Sequence, residues 1–469
     1  MTLMPEDSCD RLLDGCEIVG KAAIAAQVSM WEVFATQSYG YDIEIERGRV
    51  SLAAGGGDGG YGIRVIEDGR PGFAYAATAA DAGDAVAEAV RASTLVPAIE
   101  GFELPQDQGA TEVAGMWDPE VDQSTPEELM EQADSLLQDV CEADSRAMIS
   151  GGGVSVSCHA AALLSSQGIS TSGMMSSHDA GIQVSIDEDD RITSGWSSMC
   201  SRSLIPDFSP ICEESVDWAV QTRATISIDA AAEEAPVLFT HRGIGSLFRT
   251  IVCPALRGEK LARKESLWTG KEGCRIIESH LSIVDDGTIE GASGSSKRDG
   301  EGLKTRATSL VEGGILKSGL WSTRDSAEQV SKGNVEHAES TGNAGRGGHS
   351  SPPSTSVSNL VLTSSAANNS RHQLIDEMEE GYIVQSMMGA HTANPSSGDF
   401  STTSSSILKI KDGTVVGSLK QAGLSGNLPK AFNEGVSLAH MQAPRSQWAG
   451  GSVIVPDLLL RQGIRINPS

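Results

Sequence analysis

Lysine is missing from the whole stretch between Lys21 and Lys260, aromatic side chains make up only 4% of the 469 residues, and no cysteine follows Cys274. Each shortage closes off a class of protein. With so few lysines, residues 1–235 hold 41 Asp and Glu against 11 Lys and Arg, a net charge of -30, while residues 236–469 hold 22 against 24, a net of +2. A body of that charge repels nucleic-acid phosphates, so direct binding to DNA or RNA is not expected. The eight cysteines contain no C-x-x-C pair, which argues against a zinc cluster or a disulfide framework and for reduced, mostly buried thiols. No run approaches the length of uninterrupted apolar sequence that a membrane span needs. The opening MTLMPEDSCDRLLDG is acidic and lacks the basic start and apolar stretch of a signal peptide, which predicts a cytoplasmic protein.

What is present is glycine, 52 residues of it, and enough apolar residues, 39%, to build a core. A chain of this length divides into two or three packed units, and abundant glycine favours strands joined by tight turns. In YDIEIERGRVSLAAGGGDGGYGIRVIEDGRPGFAYA, apolar and polar residues alternate through Ile43, Ile45, Val50, Leu52, Ile63, Val65 and Phe73. This predicts a meander of short antiparallel strands with Asp68-Gly69 as a hairpin turn. AADAGDAVAEAVRAS then reads as a helix with Asp81 near its start. STPEELMEQADSLLQDVCEAD opens with Ser124 and Thr125, puts Pro126 at a first helical position and sets Glu127 and Glu128 against the positive helix end. The strand pattern returns beyond it, and GIRVIEDGRPGF recurs as GIQVSIDEDDRITSGW: Gly-Ile, a polar residue, Val, an acidic turn, Arg, then Gly and an aromatic. The expected fold class is α+β in two domains. Residues 1–230 form the first, from two related modules at about 1–115 and 116–230; residues 231–469 form a mainly antiparallel β domain, with DAAAEEAP at 229–236 as the boundary. In the second domain Asp286-Gly287, Gly313-Gly314 and Asp412-Gly413 read as hairpin turns, and AESTGNAGRGGHSSPPSTS reads as a long loop.

The stretch THRGIGSLFRTIVCPALRGE opens the second domain. Ile244, Leu247, Phe248, Ile251, Val252, Ala255 and Leu256 recur at helical spacing, which predicts a helix with one core-facing apolar side. Arg249 interrupts the pattern, and Pro254, which has no amide N–H, predicts a kink or restart. Familiar catalytic motifs are missing. Nine histidines give no H-E-x-x-H, there is no G-x-S-x-G, and AAGGGDGGYG leads into a strand rather than a helix, which argues against a phosphate cradle. Asp285-Asp286 is explained by chain reversal. Asp299, Glu301, Arg306 and Glu312 bracket a hairpin more elaborately than turn propensity requires.

Taken in order, IERGRVSLAAGGGDGGYGIRVIEDGRPGFAYA, LSIVDDGTIEG, DGEG, LVEGGILKSGL, STGNAGR, SGDFS, KDGTVVGSLK, LSGNL and GGSVIVPDL resemble the TldD/PmbA family over nearly the whole chain. The resemblance implies a two-domain α+β subunit of a cytoplasmic protease, in which one TldD and one TldE (PmbA) subunit pair around a cavity that admits unfolded peptides. In the TldD branch the helix carries His-Glu and a second His four residues after the Glu, and a late cysteine completes a zinc site. Here those positions are Arg249, Thr250 and Pro254. A guanidinium offers no lone pair, threonine is no general base near pH 7, and proline has no ligand atom. The resemblance therefore implies the PmbA/TldE branch: a subunit with no cofactor of its own, paired as a heterodimer with a TldD-like partner that carries the zinc, or as a homodimer when alone. Contacts to unfolded peptide are expected at Asn394, Gly398, Asp399, Phe400 and Ser401, with turn capping as the competing role for these five. A stand-alone peptide-binding or regulatory protein of the gyrase-modulator type is the alternative, and a free-standing metallopeptidase using His241 and Glu259 a third reading.

Overall fold

The computed structural model describes residues 2–188, 191–226, 233–366, 369–433, 435–439 and 452–468. Alternation of apolar and polar residues in the N-terminal half builds strands far longer than a meander of short ones. The elements are α1 (Ser8–Ala25), β1 (Met30–Glu46), β2 (Arg49–Glu67), β3 (Arg70–Ala76) and α2 (Ala82–Ser93). After a single turn, α3 (Pro119–Asp122), come α4 (Pro126–Ala143), β4 (Ala147–Ser165), β5 (Ser170–Glu188), β6 (Arg191–Ser201) and α5 (Ser209–Gln221). Helix, three strands, helix thus occurs twice. The six strands form one antiparallel sheet in the order β3-β2-β1-β4-β5-β6, so the first strands of the two units, β1 and β4, meet at its centre.

The repeated motif lies on the β2–β3 and β5–β6 hairpins, and its shared glycine has a packing reason. A Cβ on Gly72 would collide with the carbonyl oxygen of Ala89 in α2, and a Cβ on Gly195 with that of Ser215 in α5. Each unit's closing helix presses its backbone onto the last strand at this point. Asp68 and Gly69 both adopt positive φ, 50° and 74°, as the predicted two-residue turn requires; the corresponding turn at 189–190 lies outside the described residues.

The glycine run AAGGGDGG is strand interior, not a junction between strands. Rings of Tyr41 and Tyr39 lie against the sites where Gly55 and Gly57 would carry a Cβ, and cover the bare backbone. Because β3 pairs with β2 only over Tyr61–Glu67, residues 49–59 pair on the β1 side alone among the described residues. The four long helices cover one face of the sheet. Val33, Ala35, Ile43, Ile45, Val154, Val156, Ile182 and Val184 pack there against Leu12, Val19, Val86, Leu129, Leu136 and Val216. Helix α4 starts as predicted, with Thr125 and Glu128 bonding each other's backbone amides in a capping box.

The C-terminal half contains sheets of five, six and four strands around one large apolar cluster. Pairing is mostly antiparallel, but 359–361 runs parallel to 452–454 and 382–384 parallel to 237–239. Gly313-Gly314 and Asp412-Gly413 close hairpins. Asp286-Gly287 does not: the strand Leu281–Asp286 pairs with Ala307–Glu312 only after the chain has wandered through 287–306. Asp286 turns the chain by accepting the N–H of Thr288 at 2.8 Å. The expected loop at 338–356 is pinned rather than free, since 344–345 pairs with 354–355 and Asn343, Arg346 and His349 are buried. Residues 229–232 of the expected boundary lie outside the described residues. Of the eight free thiols, Cys16, Cys158, Cys212 and Cys253 are buried, and burial pushes each up to about 12.

Candidate functional site

The helix that resembles a zinc helix begins at α6 (His241–Leu247), where the Thr240 hydroxyl accepts the N–H of Gly243. All seven apolar positions are buried, and Phe248 packs edge-on against Phe432 with ring centroids 5.6 Å apart. The kink expected from Pro254 takes a specific form. Residues Phe248–Val252 widen into a π turn, the N–H of Cys253 reaches back to the carbonyl of Phe248, and an α turn at Cys253–Ala255 follows. Pro254 cannot donate, so the widened turn spares the chain one lost bond.

Arg249 is exposed on the opposite side, and Thr250 and Pro254 are half-buried there. The Thr250 hydroxyl is spent on the carbonyl of Ser246 at 2.9 Å. These three side chains do not fit a zinc ion, and among the described residues no three His, Cys, Asp or Glu converge. His241 and Glu259 belong to separate clusters. The imidazole Nδ1 of His241 lies 3.3 Å from Asp457, which Arg371 also holds; Glu259 is pushed up to about 7 by burial and by nearby Asp325.

Asn394, Gly398, Asp399, Phe400 and Ser401 form one turn and strand start. The Asn394 carboxamide accepts the N–H groups of Ser396 and Ser397, and the carbonyl of Asn394 accepts the N–H of Gly398 at 2.8 Å. Gly398 has φ 78° and lies against Pro429. Asp399 is bonded by Ser397 and Asn427, Phe400 is buried, and Ser401 is exposed. None of the five lines the groove described next.

Between the open face of the N-terminal sheet and the C-terminal half lies a groove of about 960 Å³. Its floor is the polar side of the alternation: Phe34, Thr36, Asp42, Glu44 and Glu46 from β1, Ser155, Ser157 and His159 from β4, and Ser177 and Asp179 from β5. Gly151–Gly153, Ala160, Ala161 and Gly181 leave room above the strands. Small residues and hydroxyls on a sheet face suit an extended chain, which needs donors, acceptors and space rather than one deep pocket.

One end of this groove is built on a buried charge network. Arg64 donates to Glu32 and to Glu301, each at 2.8 Å, and Arg346 pairs with Glu32 while stacking on Phe34 at 4.7 Å. Burial alone would raise the Glu32 carboxyl, but Arg346 and Arg64 outweigh it and hold it below its usual value. Glu301 also accepts the N–H of Thr323 at 2.7 Å. Asp299, two residues before it, accepts the N–H groups of Glu301, Leu303 and Ala344. The DGEG and STGNAGR segments therefore join the two halves of the molecule. Of the other two bracketing residues, Arg306 bonds the Ser340 carbonyl and Glu312 pairs with Lys317 at the surface. His159, Arg202 and Arg346 were not singled out by sequence reasoning. The available signal was the alternation VSVSCHA, which sets Ser155, Ser157 and His159 on the side opposite Val154, Val156 and Cys158.

The PmbA/TldA metallopeptidase C-terminal domain matches residues 232–463, and the PmbA/TldA metallopeptidase domain 1 matches residues 31–95. An uncharacterized protein of Methanocaldococcus jannaschii is 29% identical over 87% of this chain and 91% of its own length. The metalloprotease PmbA of Escherichia coli O157:H7 is 22% identical over 91% of both chains, and a metalloprotease TldD homologue of Haemophilus influenzae is 27% identical over 44% of this chain and 41% of its own. The crystal structure of TldE from Thermococcus kodakarensis superposes with a TM-score of 0.85 at 23% identity, covering 97% of this chain and 99% of that one. Matched in both its halves, this chain belongs to the TldD/PmbA family.

Proposed function

We propose that this chain is a PmbA/TldE-type subunit, located in the cytoplasm, that holds unfolded peptide for a zinc-carrying, TldD-like partner and has no catalytic residue of its own. The observation that carries the reading is the helix at 241–255. Its core side is intact, with Ile244, Leu247, Phe248 and Ile251 wholly buried, yet Arg249, Thr250 and Pro254 on its other side offer no metal ligand and no general base. The groove on the sheet is where this subunit would hold peptide, and the free edge of β2 offers main-chain bonds beside it.

The test is co-expression with a TldD-like partner, followed by size analysis, metal analysis after dialysis and hydrolysis of an unstructured peptide. The reading predicts a complex whose zinc and activity both depend on the partner. One tightly held zinc in the isolated chain, or hydrolysis by it alone, would overturn it. Peptide binding with no complex would favour the stand-alone regulatory role.

A further inference from the structure

The edge of β2 beside the groove has two unlike faces. Residues 49–59 pair with β1 alone among the described residues, and 51–58 are exposed throughout. That is about 36 Å of strand whose outward N–H and C=O groups lack a partner. Toward the groove, the register sets Leu52 opposite Glu44, Ala54 opposite Asp42 and Asp58 opposite Ser38. Opposed residues share a face, so Asp58 stands on the edge strand itself, and Asp42 and Glu44 one strand further in. All three carboxylates are exposed, and none has an ion-pair partner among the described residues. The cations of the groove are engaged elsewhere: Arg346 pairs with Glu32, and the charge of Asp179 acts on Arg202. Between an incoming strand and Asp42 stands only the methyl group of Ala54. A lysine or arginine stem crosses such a gap and leaves its charged head at the carboxylate.

The other face is aromatic. The rings of Tyr41 and Tyr39 lie where Gly55 and Gly57 lack a side chain, and they meet edge to face with centroids 5.8 Å apart. On this face the rings, not β2 side chains, are what the next strand would touch, and apolar or β-branched residues pack well against them. Charge decides between possible occupants. The half-molecule carries a net of -30, so a second copy of the chain is repelled from the edge and a cationic segment is drawn to it.

Resting on the reading of this subunit as one that holds extended peptide, we infer that the edge at 49–59 takes a strand in which basic and apolar residues alternate. Lysine or arginine side chains face Asp42, Glu44 and Asp58, and the apolar side chains face Tyr39 and Tyr41. The main chain of β2 supplies affinity that is indifferent to sequence, and the two faces supply selection. The ligand class is an amphipathic cationic segment. A segment with the same charges gathered in blocks does not fit, since a strand turns successive side chains to opposite faces.

Three octapeptides blocked at both ends would be titrated calorimetrically into the full chain: lysine alternating with valine, the same residues as Lys-Lys-Val-Val repeats, and serine alternating with valine. The alternating lysine peptide is expected to bind about tenfold tighter than the serine peptide, the worth of two or three exposed ion pairs. It should also bind several-fold tighter than the block peptide and slow amide hydrogen exchange within 49–59. The variant Asp42→Asn, Glu44→Gln, Asp58→Asn should bring the lysine and serine peptides to equal affinity. The same charge removed from α4, as Glu131→Gln, Asp134→Asn and Glu142→Gln, should leave the lysine advantage in place. Equal binding of the alternating and block peptides overturns the inference and leaves the peptide reading standing. So does a lysine advantage that survives the first triple variant, or tight binding with exchange at 49–59 unchanged, since the strand then docks elsewhere. No binding of any of the three overturns the peptide reading itself, and the inference with it.

Discussion

Glu259 shows what one buried side chain does to the pH response of the whole chain. It is buried, its Oε2 has no hydrogen-bond partner among the described residues, and burial with Asp325 nearby pushes its carboxyl up to about 7 from the ordinary 4.5. Between those two values the unfolded chain has released the proton and the folded chain has kept it, so the folded state binds more protons and stability falls as pH rises. Below 4.5 the group is neutral in both states and costs nothing through ionisation. Glu259→Gln should therefore leave the melting temperature nearly unchanged at pH 4.5 and raise it at pH 8, with the gap opening across that window. Thermal melts of both proteins at a series of pH values would check it, and a constant gap would show that the carboxyl ionises normally. The residue scale is also where sequence reading was weakest. Asn394 and Asp399 stand out in a string because turn chemistry is conspicuous there, and in the fold their side chains bond Ser396, Ser397 and Asn427. His159 and Arg202 look ordinary in the string, because what matters is which distant strands lie beside them.

At the scale of elements, periodicity was a good guide wherever one face is buried. The helix at 244–256 presents its apolar residues to the core as its spacing predicts, and Phe248→Ala should remove a contact with Phe432 at a cost of about 3–5 kcal/mol. Chemical denaturation gives the number; a change below about 1 kcal/mol would mean that the face repacks. The π turn at Phe248–Val252 was foreseen only as a disturbance by Pro254, because sequence shows the missing donor but not how the backbone redistributes its bonds. The glycine run in β2 was misread for a related reason. Glycine lowers strand propensity, and only the pairing with β1 reveals that Tyr39 and Tyr41 on the neighbouring strand make good the loss. Duplication, by contrast, was legible, since the glycine of each repeat answers to a helix pressed on the same kind of strand.

For the whole molecule, the loop at 338–356 changes character once both halves are in place. Composition marks it as a loop open to proteases, but Arg346 reaches into the N-terminal sheet and is held by Glu32 and Gly300. Lys332, a few residues earlier, is exposed. Brief trypsin treatment should cut after Lys332 and spare the bond after Arg346, and mass analysis of the fragments would show which bond goes first; early cleavage at Arg346 would mean that the two halves separate readily. The charge difference between halves was fully visible in the string. The central pairing of β1 with β4 was not, since even its nearest partners in sequence, Glu46 and Gly151, lie 105 positions apart, a separation that local patterns do not carry.

The strand edge left without a second partner over residues 49–59, among the described residues, also bears on how these molecules behave in a crowd. Such an edge is a template for sheet growth between molecules, and proteins usually guard it with lysine, proline or a bulge that twists it away. Residues 50–60 contain neither lysine nor proline, and beyond the irregularity at Glu44/Ile45 the pairing runs regularly to the β3 junction. The guard here is long-range: two N-terminal halves approaching edge to edge each bring a net charge of -30, and their repulsion acts over a Debye length of about 10 Å at 0.1 M salt. The missing lysines thus serve as colloidal protection for an unprotected strand, while leaving it open to a segment of neutral or positive charge.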